Sequence, residues 1–362
     1  MPRRRPVFDT ARPLILRLIR NPLSGSSVPF LRLMRMMSLR SHLRFHTALQ
    51  LSLALESAEE ALVGGQAVLE GVMMRSPHAW GIAIRKPDGK LAVHSEPLTK
   101  PSDKSPWKGW PFIRGIVTLG SAMVLGFKAL RYSADVAMED EKTAGGEKLE
   151  MSGWVAALNI TLSLGFFIFM YKFLPYAAAR SLRHLAPQTA NTVLFALVEG
   201  VIRLIIFLGF IWLTSRWSDI RRVYQYHGAE HKTVFAYESH APLTAECVQP
   251  YSTYHPRCGT SFLMTVMIIS IAVYALVPVH GFWMGFASRI VLLPLIAGGS
   301  YEIIRYAARR RSSLFALMTA PGLWLQRITT QPPDDTQVEC AIVALNHAME
   351  LEQRQGGELV IA

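Results

Sequence analysis

Between residues 226 and 262 the chain carries two clusters of ligand-type side chains in one polar stretch. The first is His227-Gly228-Ala229-Glu230-His231, the H-x-x-E-H spacing of inverted zinc hydrolases. On a helix, His227 and His231 are i and i+4, so both imidazoles leave one face about a turn apart. Two nitrogens so placed can share a tetrahedral zinc when further ligands arrive from elsewhere. Glu230 follows His227 by three residues and lies near that face, where it could take a proton from water acidified by the metal. The plain structural alternative is a helix whose histidines and glutamate bond one another or solvent.

The second cluster is His255-Pro256-Arg257-Cys258-Gly259-Thr260, just ahead of an apolar run. Thiolate and neutral imidazole are the preferred zinc donors. Pro256 and Gly259 suit a tight turn that aims His255 and Cys258 inward. A cysteine packed as a small apolar residue is the simpler alternative. Together the clusters predict one divalent metal, zinc by its donors, held by His227, His231, His255 and Cys258, with Glu230 as the catalytic base. Glu238, i+7 from His231, keeps to the same helical face and is a possible additional ligand.

These stretches resemble the bacterial integral-membrane family called YqhQ-like. The resemblance is carried by Gly64-Gly65-Gln66-Ala67-Val68-Leu69-Glu70-Gly71-Val72-Met73-Met74-Arg75, by residues 226–238 and 255–262, and by Pro321-Gly322-Leu323-Trp324-Leu325-Gln326-Arg327-Ile328-Thr329-Thr330. They follow the family's order over roughly residues 60 to 350. The resemblance implies a multi-pass membrane protein. It implies no reaction, because the family is uncharacterised and its description as metal-dependent enzymes rests on motifs like these.

The elements that must position the motifs are mostly apolar. Of 362 residues, 51% are hydrophobic and 18% charged, a balance that leans towards a membrane protein. The net charge of +12 fits cytoplasmic loops and a bilayer partner with anionic lipid. No basic patch with stacking aromatics and no known module supports nucleic-acid binding. Three cysteines, Cys247, Cys258 and Cys340, make no disulfide framework and fit a reducing compartment.

The fold class expected is a mainly α, polytopic membrane protein with about four transmembrane helices, a small cytoplasmic antiparallel β element and amphipathic helices. Residues 1–60 read as a basic, disordered tail outside the fold, with Asp9 its single acid before Glu56. Residues 61–111 form a small β region. Within it 66–74 is one β-prone run, and 81–85 and 90–94 flank the Lys86-Pro87-Asp88-Gly89 turn. Residues 112–150 read as an interfacial helix and loop, the uncharged run between Arg114 and Lys128 being short for a span. Residues 151–214 hold the first two transmembrane helices, 215–260 the motif loop, and 261–304 the third and fourth. The four apolar runs are 155–176, 192–214, 261–279 and 282–304, with His280-Gly281 a tight outer turn. Residues 305–362 form a C-terminal helical region, with Thr336 and Glu339 as a capping box and an apolar stripe of Val338, Ile342, Leu345 and Met349.

Arginine asymmetry orients the spans. Arg180 and Arg183 lie between the first two, whereas the motif loop carries Arg216, Arg221, Arg222, Lys232 and Arg257, and Arg305 and Arg309–311 follow the fourth. Both termini and the motif loop are therefore expected on the cytoplasmic side of the cell (inner) membrane. The alternative is an organelle membrane, if the acid-poor residues 1–60 are a transit peptide. Glu302, at the inner end of the fourth run, then shares the motif's membrane face. A distal glutamate completes the site of inverted zinc hydrolases, which makes Glu302 another possible ligand. Glu199, Arg203 and Arg289 are charges inside spans and functional candidates, the first two at i and i+4.

Two function classes follow. One is a metal-dependent hydrolase acting at the cytoplasmic membrane face on a peptide or lipid-linked substrate. The other is a non-enzymatic scaffold or assembly protein with a structural metal or polar cluster. A transporter is weaker, since no repeat of broken helices is evident.

Overall fold

The computed structural model describes residues 63–98, 105–142, 153–185, 191–278, 281–309 and 313–354. The expected basic tail over 1–60, most of the loop over 139–150 and His280 lie outside the described residues.

Four strands form an antiparallel meander: β1 Gly64–Val68, β2 Gly71–Arg75, β3 Ala79–Arg85 and β4 Leu91–Pro97. The single run expected over 66–74 is in fact a hairpin. Val68 pairs with Gly71, and Leu69-Glu70 makes the two-residue turn. Glu70 has φ 54, a left-handed conformation uncommon for glutamate. Its carboxylate is anchored there by the Arg222 guanidinium and lies 3.3 Å from the Tyr226 hydroxyl.

The helices are α1 Ile113–Lys142, α2 Gly153–Ile168, α3 Leu174–Leu185, α4 Thr192–Thr214, α5 Ser218–Glu238, the single turn α6 Ala245–Val248, α7 Gly259–Leu276, α8 Phe282–Val291, α9 Leu293–Arg309, α10 Ser313–Thr329 and α11 Asp335–Arg354. A π-helical segment, Phe169–Phe173, joins α2 to α3. The chain is thus mainly helical with a small antiparallel sheet.

Alternation along the strands sets the layers. Trp80, Ile82 and Ile84 of β3, with Val68 and Met73, pack under Leu125, Ala129 and Val136 of α1. The opposite face, with Val72, Met74 and Ala83, packs on Val338, Ala341, Ile342 and Leu345 of α11 and on Tyr226 and Ala229 of α5. The period of two thus buries both faces, each under a helix.

Helix α11 starts with a cap different from the one expected. The Asp334 carboxylate accepts from the Gln337 N–H at 2.9 Å, and the Asp334 N–H donates to Gln337 Oε1 at 3.0 Å. The capping box therefore closes on Asp334 and Gln337, two residues early, and Glu339 pairs with Arg85 instead. Farther along, buried Glu352 accepts from the Ser76 hydroxyl at 2.6 Å and the His78 N–H at 2.8 Å, and pairs with His78 Nδ1 at 2.7 Å.

Among the described residues, four helical stretches are long and apolar enough to cross a membrane: Ile113–Ala137, Thr161–Arg183, Thr192–Thr214 and Gly259–Leu276. Phe282–Val291 and Leu293–Tyr306 make a fifth only if counted as one span with a 41° bend. Two expectations change. The helix taken as interfacial is long and apolar enough to span by length and composition, and its two charges are paired, Arg114 with Glu302 on α9 and Lys128 with Glu96 on β4. Its C-terminal half nevertheless lies against the sheet through Leu125, Ala129 and Val136. The fourth run is broken, since Pro294 stands one residue inside α9 and cannot donate to the turn before it. Val201, Ile205, Leu213 and Phe166 are more than half exposed on the bundle, a surface that suits lipid tails and is costly in water.

The contacts of Glu352 define a test. Burial pushes its carboxyl up, but the hydrogen bonds from Ser76 and His78 outweigh this and hold it below the ordinary value. A depressed carboxyl contributes stability above its unfolded pKa and loses it as pH falls through the folded one. Glu352→Gln should weaken the α11–sheet contact by about 1.5–3 kcal/mol at neutral pH and less in acid. Hydrogen exchange of the β3 amides reads this, and unchanged protection would refute it.

Candidate metal centre

Helix α5 carries the first motif, and it is not a solvated loop. Residues 228–236 of α5 are buried without interruption. One side meets the β1–β2 hairpin and another meets α11. Gly228 faces the chain leaving α10, where a Cβ would lie 2.1 Å from the Gln331 carbonyl oxygen. That close approach brings the end of α10 over His227.

Each motif histidine has one ring nitrogen tied to a backbone carbonyl. His227 Nδ1 is 2.8 Å from Thr329 O, at the C-terminal end of α10 where helical carbonyls lack partners. His231 Nδ1 is 2.5 Å from Thr253 O. A carbonyl only accepts, so both Nδ1 atoms carry the proton and both Nε2 lone pairs point the other way. They meet Cys258, the N-cap of α7. His227 Nε2 is 3.3 Å from Cys258 Sγ, and the Thr260 hydroxyl donates to the same sulfur at 3.3 Å. One ligand atom from each of His227, His231 and Cys258 falls within 4.8 Å of the others. His231 Nε2 is buried and has no hydrogen-bond partner. Burial, helped by nearby His227, pushes the His231 pKa down to about 4, so its imidazole is neutral at pH 7.

Glu230 stands beside this group. Its Oε2 is 3.6 Å from His231 Nε2 and 3.8 Å from His227 Nε2. The Gly65 N–H of β1 donates to its carboxylate, and a Cβ on Gly65 would come within 2.7 Å of Glu230 Cγ. Burial raises the carboxyl pKa, and the neighbouring histidines oppose the rise.

The other expected ligands are placed differently. His255 Nδ1 accepts the Arg257 N–H at 3.3 Å, so the ring proton sits on Nε2, which lies 3.5 Å from Glu238 Oε2 without forming a hydrogen bond. The ring packs on Phe235, and burial lowers its pKa to about 4. Glu238 faces Arg257 as well as His255. Glu302 is paired with Arg114. Among the described residues, none of these three joins the His227–His231–Cys258 group.

Gln326 is a positioning residue that the motifs alone did not single out. It accepts the His255 N–H at 2.7 Å and donates to the His255 carbonyl at 2.8 Å, clamping the second motif to α10. It does lie in the 321–330 segment, one of those that carry the family resemblance.

Fold and site thus define a mainly helical protein with several helices fit to cross a membrane and a partly buried His/His/Cys group beside a carboxylate. Residues 110–351 match the family described as "Protein of unknown function (DUF1385)", and the chain belongs to that family. It is 36% identical over 297 residues to "Uncharacterized protein YqhQ" of Bacillus subtilis (strain 168), spanning 80% of this chain and 92% of that protein. No solved structure matches.

The fit at Gly228 gives the second test. Gly228→Ala should push residues 329–331 off α5, at a cost of about 1–3 kcal/mol. Limited proteolysis should then cut the 329–334 connection faster than in the parent. Equal cutting rates would show that the contact does not hold the segment.

Proposed function

We propose that His227, His231 and Cys258 hold a divalent metal ion and that the protein is a metal-dependent hydrolase working at the cytoplasmic face of the cell membrane. The observation that carries the reading is the fixed tautomer of both histidines. Each donates Nδ1–H to a backbone carbonyl and turns its Nε2 lone pair towards Cys258. Metal-ligating histidines are oriented this way by the groups behind them. The buried, unpartnered Nε2 of His231 fits a missing Lewis acid, because a buried polar atom without a partner is costly. Two imidazoles and a thiolate select zinc among the abundant divalent ions.

Three protein ligands would be the donor count of catalytic rather than structural zinc. A zinc ion held there would supply Lewis acidity and lower the pKa of a water. Glu230, with its carboxyl pKa raised by burial, lies beside the His227 and His231 Nε2 atoms, where it could serve as a general base and proton carrier. Gly65 holds the Glu230 carboxylate in place. A peptide or lipid-linked substrate suits a site at the end of apolar helices, with the bilayer as the standing partner.

The second reading is a structural metal in a scaffold protein. The tightness of the site favours it, with the His231 side chain 2% and the Glu230 side chain 8% exposed. A metal there would join α5 to the start of α7, and its binding free energy would also be folding free energy.

Glu230→Gln separates the two. His231→Ala and Cys258→Ala should lose metal from the purified protein under either reading. Glu230→Gln should keep metal and stability but lose about 10²- to 10⁴-fold in activity if the residue is a general base. Metal content and complementation of a strain lacking the protein read the two effects. Normal complementation by Glu230→Gln, alongside failing ligand variants, would leave the structural reading standing. Metal retained by the histidine variants would remove both.

Orientation has its own test. Ser239 is exposed just beyond α5, and Ser239→Cys should resist an impermeant thiol reagent in intact cells and react in inverted vesicles. Ready labelling from outside would reverse the topology.

A further inference from the structure

A second buried polar centre lies in the helical bundle, far from the histidines. Lys172, Arg203 and Arg289 come from three different helical segments, and the two arginines share the Glu199 carboxylate. Each is at least nine-tenths buried: Glu199 0%, Arg203 4%, Arg289 4% and Lys172 8% exposed. Arg203 reaches Glu199 Oε1 at 2.5 Å, and Arg289 reaches Oε2 at 2.8 Å through a terminal nitrogen and at 3.2 Å through Nε. Arg289 spends its other terminal nitrogen on the Gly285 carbonyl at 3.2 Å and the Ser288 hydroxyl at 3.0 Å, which leaves two donors poorly served, one on Arg203 and one on Lys172. Arg203 uses its other terminal nitrogen on the Ser270 hydroxyl at 2.7 Å, but its Nε has no partner. The Lys172 ammonium makes one long contact, 3.4 Å to the Tyr274 hydroxyl. The Tyr274 ring sits among all three cations, 4.9 Å from the Arg289 guanidinium, 5.3 Å from that of Arg203 and 5.8 Å from Lys172 Nζ.

Charge does not balance here. A lysine can shed its proton when buried, but arginine stays protonated in proteins. Two guanidiniums therefore face one carboxylate even if Lys172 is neutral. An uncompensated buried charge is expensive, more so between helices that meet lipid. The π-helical segment adds an independent sign. Lys172 is one of the two buried residues of the π-helical turn Phe169–Phe173, and such bulges are frequent at functional sites.

We propose that Lys172, Arg203 and Arg289, with Tyr274 behind them, form a binding site for an oxyanion, a phosphate or carboxylate group that supplies the missing negative charge. The free Nε of Arg203 and the Lys172 ammonium are the donors left to bind it, and charged donors make strong bonds to such oxygens. The site is distinct from the metal centre. Tyr274 is 16 residues beyond Cys258 along one course of helix, about 24 Å at 1.5 Å per residue. The oxyanion can be free in solution or the head group of an anionic lipid, and the test tells these apart.

Full-length protein in an uncharged detergent is titrated with inorganic phosphate at constant ionic strength, and separately with phosphatidylglycerol in mixed micelles. The thermal midpoint should rise with at least one titrant, as for any ligand that binds only the folded state. A response to phosphate assigns a free oxyanion, and a response to the lipid alone assigns a head group. Lys172→Met removes a donor with a single long contact, so the fold should persist while apparent affinity drops by about tenfold or more. Should that variant not accumulate, Arg203→Lys serves instead, since it keeps a cation near Glu199 and removes the free Nε donor. No midpoint shift with either titrant, or equal shifts in variant and parent, would overturn the proposal and leave a purely structural ion cluster.

Discussion

The hydrogen bonds from His227 Nδ1 to Thr329 O and from His231 Nδ1 to Thr253 O set the chemistry available on α5. An imidazole with a free choice of tautomer can point either nitrogen anywhere. Here the carbonyls take both Nδ1 protons, so the lone pairs left over converge on Cys258. The carbonyls come from two different places, the end of α10 and the loop after α6. The segment after α10 reaches α5 because Gly228 offers no Cβ to the Gln331 carbonyl. Glu230 depends on the same packing from the other side, where the β1–β2 hairpin brings the Gly65 N–H to its carboxylate. Sheet, α5, α10 and the second motif therefore form one assembly around three ligand atoms.

This division explains which features could be read from the sequence. The pairing of His227 with His231 depends on helical period alone, and it is local. The hairpin around Lys86–Gly89 and the apolar runs are local as well. The role of His255 is not. Its tautomer is set by the Arg257 N–H and its orientation by Gln326, 71 residues away. Likewise nothing near Arg114 announces that Glu302, 188 residues on, will pair with it. Without that partner the uncharged run between Arg114 and Lys128 reads as too short for a span. The turn at Leu69-Glu70 was hidden for a similar reason. The flanking residues are β-prone, Glu70 is an unusual residue for positive φ, and what holds it there is Arg222 on a distant helix.

The cap of α11 shows the opposite case, a local signal misread by its register. Thr336 and Glu339 have the right types and spacing for a capping box. Asp334 and Gln337 have them too, and Pro332-Pro333 just before them stops the chain from being helical any earlier. Helix onset directly after the prolines leaves Asp334 as the cap, and Glu339 is then free to reach Arg85 on β3. The error is two residues in position, yet it changes the partner of a charged group.

Helix α7 links the two polar centres and explains its own composition. Its buried residues include Ser261, Thr265, Ser270 and Tyr274, while Leu263, Ile268 and Leu276 are exposed. Ser261 lies 3.4 Å from the Gln326 amide at the metal-centre end, Ser270 accepts from Arg203, and Tyr274 donates to the Arg289 carbonyl at 3.0 Å. A water-soluble helix places its polar stripe outward and its apolar stripe inward. Here the polar groups face the protein and the apolar ones face out, the arrangement that a hydrocarbon surrounding favours. The cost of an unsatisfied hydroxyl or guanidinium inside the bundle then acts as a constraint on register. Sliding α7 by one residue would turn Ser270 and Tyr274 about 100° away from Arg203 and Arg289, and would carry Cys258 out of line with the two histidines. One helix thus keeps both centres in register, which ties the position of the thiolate on α7 to the polar contacts deeper in the bundle.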